Sequence, residues 1–220
     1  MTKLQKKAAD ICDVLDSVYP DACCSLEYSE PYQLMIATRL SAQCTDARVN
    51  IVTKDLFRQF PTLDAFADAD ISELEQAVHP CGFYKAKAKS VKEMCQRVRD
   101  VYGGKVPDNM DDLLTLSGIG RKTANLLLGD VYGKPSVVTD THCIRISGRL
   151  GLTKHHAPEQ VETDLRKILP PDRSSRYCHQ IVQFGRDTCT ARNPKCADCP
   201  LKAYCVDPDF TKKVSKALDK

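Results

Sequence analysis

The sequence has no apolar run long enough to cross a membrane. No stretch of its 220 residues approaches the ~20 apolar residues that a transmembrane helix needs. Charged residues interrupt the N-terminal segment MTKLQKKAADICDVLDSVYP throughout, so it lacks the apolar centre of a secretory signal. We therefore expect no membrane association, and a cytosolic protein, or a nuclear one if the source has a nucleus.

Alternation of apolar and polar residues, the mark of a half-buried strand, is also scarce. The nearest case is the short segment PSVVT at 135–139. By contrast, apolar residues recur at three- and four-residue intervals in DLFRQF and ISELEQAV, which is typical of helices. The sequence predicts about ten helices joined by short loops, hence an all-α architecture. We expect the last ten residues, 211–220, to be frayed.

A strong excess of one charge is missing. The chain has 32 basic and 29 acidic residues, and a net charge of +3 does not by itself indicate binding to nucleic acid. The charges are unevenly placed, however, because residues 83–105 hold seven bases against two acids. Two interpretations of this stretch stay open: a solvated helix face, or a basic surface for a polyanion.

Cysteine, in contrast, is abundant, with twelve residues in a chain that we expect to be kept in a reducing compartment. Eight are scattered and are expected to be small buried apolar residues. The other four form the pattern C-x6-C-x2-C-x5-C, which indicates a metal centre. A single C-x2-C knuckle favours an iron–sulfur cubane over a zinc ribbon, with a structural role or, alternatively, electron transfer. The four are Cys189, Cys196, Cys199 and Cys205.

The segment LSGIGRKTANLLLGD at 116–130 combines a glycine hairpin with a helix start. Gly118 and Gly120 allow a tight turn and a close approach of another backbone. The helix that we expect from about Arg121 begins with N–H groups that have no partner inside the helix. Such a hairpin is a candidate phosphate site that does not read base sequence, although a plain packed turn has the same pattern.

A second feature of this segment is Lys122, a cation at a helix start. The helix dipole and Arg121 both disfavour its ammonium form, and a free lysine amine is a nucleophile towards electrophilic carbon. Asp140 follows eighteen residues later, after a connection long enough for the chain to return towards Lys122. Its carboxylate is a candidate proton acceptor, or a stabiliser of a cation forming on a sugar. Alternatively, Asp140 only caps the helix that contains residues 143–149.

Together these motifs resemble a known family. LSGIGRKTAN followed by TDTHCIR resembles the helix-hairpin-helix DNA glycosylases, and LSAQCTDARVN, CGFYKAKAK and the cysteine pattern resemble the endonuclease III branch. The resemblance implies an all-α fold of two helical domains with a DNA-binding cleft between them, and a 4Fe-4S cluster. The implied domains are a central one at 24–133, with the hairpin motif at about 113–131, and a discontinuous one at 1–23 plus 134–210 that carries the cluster.

The resemblance also assigns roles to residues. Lys122 is implied as the nucleophile that attacks the sugar C1′ and forms a Schiff base, and Asp140 as the catalytic aspartate. Gln43 is implied to fill the space left by a flipped nucleotide, and Phe83 to act as an apolar wedge in the base stack. The implied phosphate contacts come from Gly118, Gly120 and Arg121, and the four cysteines of the C-terminal pattern are implied as cluster ligands.

The implied activity is base-excision repair, in which oxidised pyrimidines are removed from duplex DNA and abasic sites are cleaved by β-elimination. The implied partner is double-stranded DNA with damaged bases or abasic sites, bound by a monomer at the nucleoid or in the nucleus. Two alternatives stay open. One is a mismatch-type glycosylase, but relatives of that type generally lack the lysine of Lys122. The other is a non-catalytic DNA-binding or redox iron–sulfur protein, which the presence of both Lys122 and Asp140 disfavours.

Four positions depart from the family pattern and bear on substrate preference. Ser117 stands where proline is usual, and we expect it to loosen the hairpin. An apolar residue is common at the position of Thr139. Cys44 and Lys85 replace residues that are more often small or carry an amide.

Overall fold

The computed structural model describes residues 1–206, so the frayed tail predicted at 211–220 lies outside the described residues. Residues 1–206 contain eleven α-helices, three short 3-10 helices and no strand, which confirms the predicted all-α class. In the same range no helix is long and apolar enough to cross a bilayer. The helices are α1 Lys3–Val18, α2 Pro31–Leu40, α3 Asp46–Gln59, α4 Leu63–Asp68, α5 Ile71–Val78, α6 Tyr84–Tyr102, α7 Met110–Leu113, α8 Arg121–Asp130, α9 Thr141–Arg149, α10 Pro158–Ile168 and α11 Ser174–Asp187.

The chain divides into two compact units. One is Cys24–Tyr132, which holds α2 to α8; the other joins Met1–Cys23 to the segment that begins at Gly133. In the first unit, α6 packs against α2, α4 and α5. Phe66 of α4 is fully buried there, and its ring contacts Phe57 and Phe60. The long α6 therefore serves as the central support of the unit.

Side chains at the helix starts explain where several helices of this unit begin. Thr62 caps α4 by accepting a bond from the Ala65 N–H at 3.1 Å. Asp70 caps α5 by accepting from the N–H groups of Ser72 and Glu73. Polar oxygens at these positions satisfy N–H groups that would otherwise lack a partner.

The second unit connects the N-terminal helix to the C-terminal half. α1 packs against α10 and α11, and α11 packs against α9. Arg173, just before α11, donates to Asp13 of α1 at 2.8 Å and to Asp16 at 2.5 Å. Tyr177 of α11 is fully buried, and its hydroxyl lies 3.0 Å from the Ser147 hydroxyl of α9. These contacts hold α9, and hence the residue that precedes it, in a fixed place within the unit.

The basic stretch at 83–105 is not fully solvated, because Lys87 is buried, and its role as a surface for a polyanion stays a prediction. Five of its seven bases bond to groups of the protein itself, among them Lys89, which pairs with Glu93 at 3.8 Å. Lys87 and Lys92 donate to backbone carbonyls, and Arg97 donates to the Thr115 hydroxyl. Arg99 pairs with Asp68 and Asp100. The positive charge available to a ligand on α6 is therefore smaller than its sequence indicates.

Candidate active site

The hairpin between α7 and α8 follows the geometry predicted for it. Gly118 has a φ of 76°, a conformation that glycine adopts without the cost that other residues pay. A side chain at this position also has no room, because its Cβ would lie 2.5 Å from Arg39 Nε and 2.6 Å from Arg39 Cδ. Ile119 is buried between the glycines and anchors the turn. The glycine is therefore required for both conformation and space.

The serine at position 117 does not leave the hairpin unattached. Its hydroxyl donates to a carboxylate oxygen of Glu93 on α6 at 2.7 Å. A proline could not form this bond, because it has no side-chain donor. The hydrogen bond connects the hairpin to α6, and the expectation that Ser117 loosens the turn relative to proline stays a prediction.

Helix α8 begins at Arg121, as predicted, with Gly120 in extended conformation at its N-cap. Within residues 1–206 no side chain caps its first turn. A helix start with backbone N–H groups and a positive dipole is suited to an anion. Lys122 is the second residue of α8 and its side chain is exposed, whereas Ala124 and Asn125 are buried. The helix thus presents its lysine to solvent directly beside the hairpin.

Asp140 is the N-cap of α9, so its predicted capping role is present in the structure. Its Oδ1 accepts a hydrogen bond from the Cys143 N–H at 2.7 Å. The buried side chains of Val137 and Val138 fix the approach to the cap. Capping holds the carboxylate in one orientation and leaves further acceptor positions on its two oxygens. Asp140 and Lys122 belong to different units, and their juxtaposition stays a prediction.

Gln43 and Phe83 share an unusual backbone conformation. Their φ angles are 55° and 47°, and within residues 1–206 they are the two non-glycine residues with positive φ. Both side chains are exposed, and the Phe83 ring is 69% exposed. Left-handed non-glycine residues cost of order 1 kcal/mol or more and persist where the surroundings hold them. Strain and an exposed aromatic ring together mark these two loops as candidate contact points.

The four cysteines of the C-terminal pattern lie in the segment after α11 and are all half-buried. Burial raises the pKa of the Cys199 thiol, and negative charge on the other three cysteines would raise it further. Within residues 1–206, no three His, Cys, Asp or Glu side chains are placed to hold a single metal ion. A cubane has a different requirement, because it takes one thiolate at each of four iron corners. Four cysteines in one segment supply the thiolates that such a cluster needs, and the Cys199 thiol interacts electrostatically with the other three.

Two arginines of α9 connect that helix to the cysteine segment. Arg149 is only 4% exposed, and its Nη1 donates to Cys189 Sγ and to the Thr190 carbonyl, each at 3.0 Å. Arg145 donates to the Cys189 carbonyl at 2.9 Å. A buried guanidinium next to thiolates offsets their negative charge, and hydrogen bonds to cluster sulfurs are a known means of tuning such centres. Sequence reasoning missed Arg149, although its four-residue spacing from Arg145 on a short helix was visible.

We expect Arg149→Met to lower iron retention. The variant removes both the charge and the donors beside Cys189, and loss of such outer contacts typically lowers metal affinity about 10- to 100-fold. The rate of iron loss to a chelator, followed by the visible absorption of the cluster, measures this effect. Arg166→Met is the matched control, because Arg166 lies in the same unit and bonds to Glu162 and Pro135. Equal retention by the two variants would contradict the role given to Arg149.

Two family models match this chain and define its class of protein. Residues 36–171 match the HhH-GPD superfamily of base excision DNA repair proteins. Residues 189–205, which begin and end on cysteines of the C-terminal pattern, match the iron–sulfur binding domain of endonuclease III. The hairpin and the cysteine segment thus place the chain among helix-hairpin-helix base excision repair proteins with an iron–sulfur domain.

The relatives narrow the class to one family. The chain is 43% identical to endonuclease III of Synechocystis sp. over 93% of this chain and 94% of that protein. It is 38% identical to endonuclease III of Bacillus subtilis over 92% and 93% of the two chains. The chain belongs to the endonuclease III family, as its motifs predicted, and the 4Fe-4S cofactor expected for that family is confirmed.

Solved structures agree with this assignment. A trapped covalent intermediate of endonuclease III with DNA superposes with a TM-score of 0.87 at 38% identity, covering 96% of this chain and all of that one. A thermostable thymine-DNA glycosylase superposes with a TM-score of 0.81 over 94% of this chain and 98% of that one, but at 20% identity it shares only the fold.

Proposed function

We propose that this chain is a bifunctional DNA glycosylase and abasic-site lyase that removes oxidised pyrimidines from duplex DNA. The observation that carries the proposal is the exposed Lys122 at the second position of α8, immediately after the Gly118–Gly120 hairpin. A hairpin of this kind holds a DNA phosphate, and the lysine beside it then reaches the sugar of the bound nucleotide. The enzyme acts as a monomer on DNA with damaged bases or abasic sites, at the nucleoid or in a nucleus.

The chemistry begins at the sugar carbon C1′. The neutral amine of Lys122 forms a bond to C1′ while the bond from C1′ to the base breaks, and the departing base takes up a proton. We assign Asp140 to accept a proton or to stabilise the positive charge that develops on the sugar, and its cap supports this role by fixing the carboxylate within its own unit. The ring bond between C1′ and its oxygen then opens, which gives a Schiff base between Lys122 and C1′.

Strand cleavage follows from the Schiff base. Loss of a proton from C2′ allows the bond between C3′ and its phosphate oxygen to break, so the phosphate leaves as a 5′ end. Water then hydrolyses the Schiff base and restores the lysine amine. The net result is a released base and a nicked strand, and no external oxidant or reductant is consumed.

Access to C1′ requires that the nucleotide leave the base stack. We assign Phe83 as the wedge that enters the stack and Gln43 as the residue that pairs with the orphaned base. An amide carries two donors and one acceptor oxygen, so Gln43 can bond to different partner bases. Apolar side chains inserted between base steps are a common means of opening a duplex.

The cysteine segment supports the fold. Cys189, Cys196, Cys199 and Cys205 would hold the 4Fe-4S cluster, which, when bound, ties together a loop too short to have its own core. Arg149 holds the start of this loop against α9.

The proposal is tested by two measurements on the wild-type protein. Borohydride should trap a covalent adduct with a duplex that contains an abasic site. A duplex with an oxidised thymine should lose that base, whereas an undamaged duplex and one with a G·A mismatch should not. If the adduct is trapped but the oxidised base is not released, the lyase activity would stand and the proposed preference for oxidised pyrimidines would be wrong.

Phe83→Ala should slow the release of a damaged base from duplex DNA by about 10- to 100-fold, because the cost of unstacking is no longer offset. Cleavage of a preformed abasic site should fall by a smaller factor, since that site is already unstacked. Single-turnover rates on the two substrates measure the difference. Val101→Ala is the matched control, because Val101 is an exposed apolar residue of α6, the helix that Phe83 precedes. Equal losses on both substrates would argue against a wedge.

A further inference from the structure

Lys87 is a buried cation with two backbone partners. It belongs to α6 and is 1% exposed, although its place in a run of lysines suggested a surface residue. Its Nζ donates to the carbonyl of Leu40 and to the carbonyl of Cys81, each at 2.8 Å. Leu40 is the last residue of α2, and Cys81 ends the 3-10 helix His79–Cys81. One ammonium group therefore joins the ends of two separate elements.

These two carbonyls stand at the bases of the two strained loops. Gln43 follows Leu40 by three residues, and Phe83 follows Cys81 by two. Both loop residues have left-handed backbones and exposed side chains. Such conformations persist only where neighbouring contacts hold them. The bonds from Lys87 supply a shared contact of this kind at the foot of each loop.

The side chains beside these loops pack together as well. The thiols of Cys44 and Cys81 interact with each other. Burial is the largest cause that raises the pKa of the Cys81 thiol to about 11, and negative charge on Cys44 is the second. Cys44 follows Gln43 directly, and Cys81 precedes the Gly82–Phe83 turn. The Gln43 and Phe83 loops are therefore linked twice: through the side chains of Cys44 and Cys81, and through the Lys87 ammonium that bonds to a backbone carbonyl before each loop.

The chemistry of the ammonium suits this position. The carbonyl of Leu40 lies at the negative end of α2, where a cation is favourable. A buried carbonyl without a donor is costly, and Lys87 satisfies two carbonyls with two of its three N–H groups. Burial lowers the pKa of Lys87, which shows that the charge is held at a cost. An apolar residue at this position would satisfy neither carbonyl.

We propose that Lys87 is a positioning residue that holds the Gln43 and Phe83 loops as one DNA-inserting unit. It sets the spacing between the side chain that opens the stack and the one that fills the vacated space. This inference rests on the proposed function, because it presumes that both side chains enter DNA. It adds that neither loop is positioned independently of the other.

The test compares Lys87→Met with Lys92→Met in the full-length protein with its cluster. Lys92 is a matched control because it lies on the same helix and its Nζ also donates to a backbone carbonyl, that of Ala69 at 2.7 Å. The readout is the fluorescence of 2-aminopurine placed opposite the damaged base, which rises when the nucleotide leaves the stack. We expect Lys87→Met to slow this rise by about 10- to 100-fold, the size of loss that follows small errors of position. Lys92→Met should stay close to wild type.

A double variant shows whether Lys87 acts through the wedge. In a Phe83→Ala background, adding Lys87→Met should cost much less than it does alone, because residues that act as one unit are not additive. Full additivity, wild-type fluorescence kinetics in Lys87→Met, or equal losses in the two lysine variants would each overturn the inference. If Lys87→Met does not fold, Lys87→Arg replaces it; its wider guanidinium must displace one loop, and a folded protein with wild-type kinetics would contradict the role.

The inference and the proposed function fail in different ways. A wild-type protein that forms no borohydride adduct with abasic DNA would overturn the proposed function. A wild-type protein that forms the adduct and extrudes the base, beside a Lys87→Met protein that extrudes it equally fast, would overturn only the inference about Lys87.

Discussion

Lys122→Gln is expected to abolish the borohydride-trapped adduct with abasic DNA while binding to damaged DNA stays close to wild type. An amide cannot form a Schiff base, so the covalent route is closed rather than slowed. Base release should also fall, because the attacking amine is lost. The glutamine side chain is polar and exposed, like the lysine it replaces, so the fold of α8 should be retained. Gel mobility after borohydride treatment and a separate binding titration measure the two properties.

The control for this experiment is Lys105→Gln, which removes an exposed lysine from the same unit at a distance in sequence from the hairpin. It should form the adduct at the wild-type rate. A Lys122→Gln protein that still forms the adduct at that rate would assign the nucleophile to another amine. A protein that loses both the adduct and DNA binding would place Lys122 in phosphate binding instead.

The hairpin and the helix starts were predictable because they depend on local chemistry. Two glycines with one buried residue between them define a turn, and the first residue of α8 followed from that turn alone. Asp140 at the start of α9 is the same case, since aspartate is among the residues preferred at a helix N-cap. Such features are determined within about five residues of sequence, so no tertiary information is needed to find them.

Contacts made across the fold could not be predicted in this way. The sequence gives Lys87 the same appearance as Lys85 and Lys89, yet Lys87 is buried against two carbonyls and Lys85 is exposed. The difference depends on where the ends of α2 and of the 3-10 helix lie, which is set by packing. Likewise, the contact of Arg39 with Gly118 joins residues 79 positions apart in sequence, and no local pattern carries that information.

The positive φ angles of Gln43 and Phe83 could not be predicted from residue propensities either. Neither glutamine nor phenylalanine favours a left-handed backbone, so propensity predicts ordinary conformations for both. Family resemblance alone pointed to these residues, and the structure adds that the two strained positions stand over one buried lysine. Departures from local preference are expected where function requires a particular shape.

Asp140→Asn is expected to slow base release by about 10²- to 10⁴-fold, the usual contribution of a positioned acid or base. Asparagine is a good N-cap, and its side-chain oxygen can accept the bond that Asp140 now takes from the Cys143 N–H. The melting temperature should therefore change little while the single-turnover rate of base release falls.

Two neighbouring variants separate the charge of Asp140 from its cap. Asp140→Ser keeps a capping oxygen but has no carboxylate, so it should be stable and as slow as Asp140→Asn. Asp140→Ala removes the cap as well and should lower the free energy of unfolding by about 1 kcal/mol. If activity followed stability across the three variants, with Asn and Ser near wild type and only Ala impaired, Asp140 would be a cap and the carboxylate of the reaction would lie elsewhere. If all three lost base release equally while only Ala lost stability, the capped carboxylate itself would be the catalytic group.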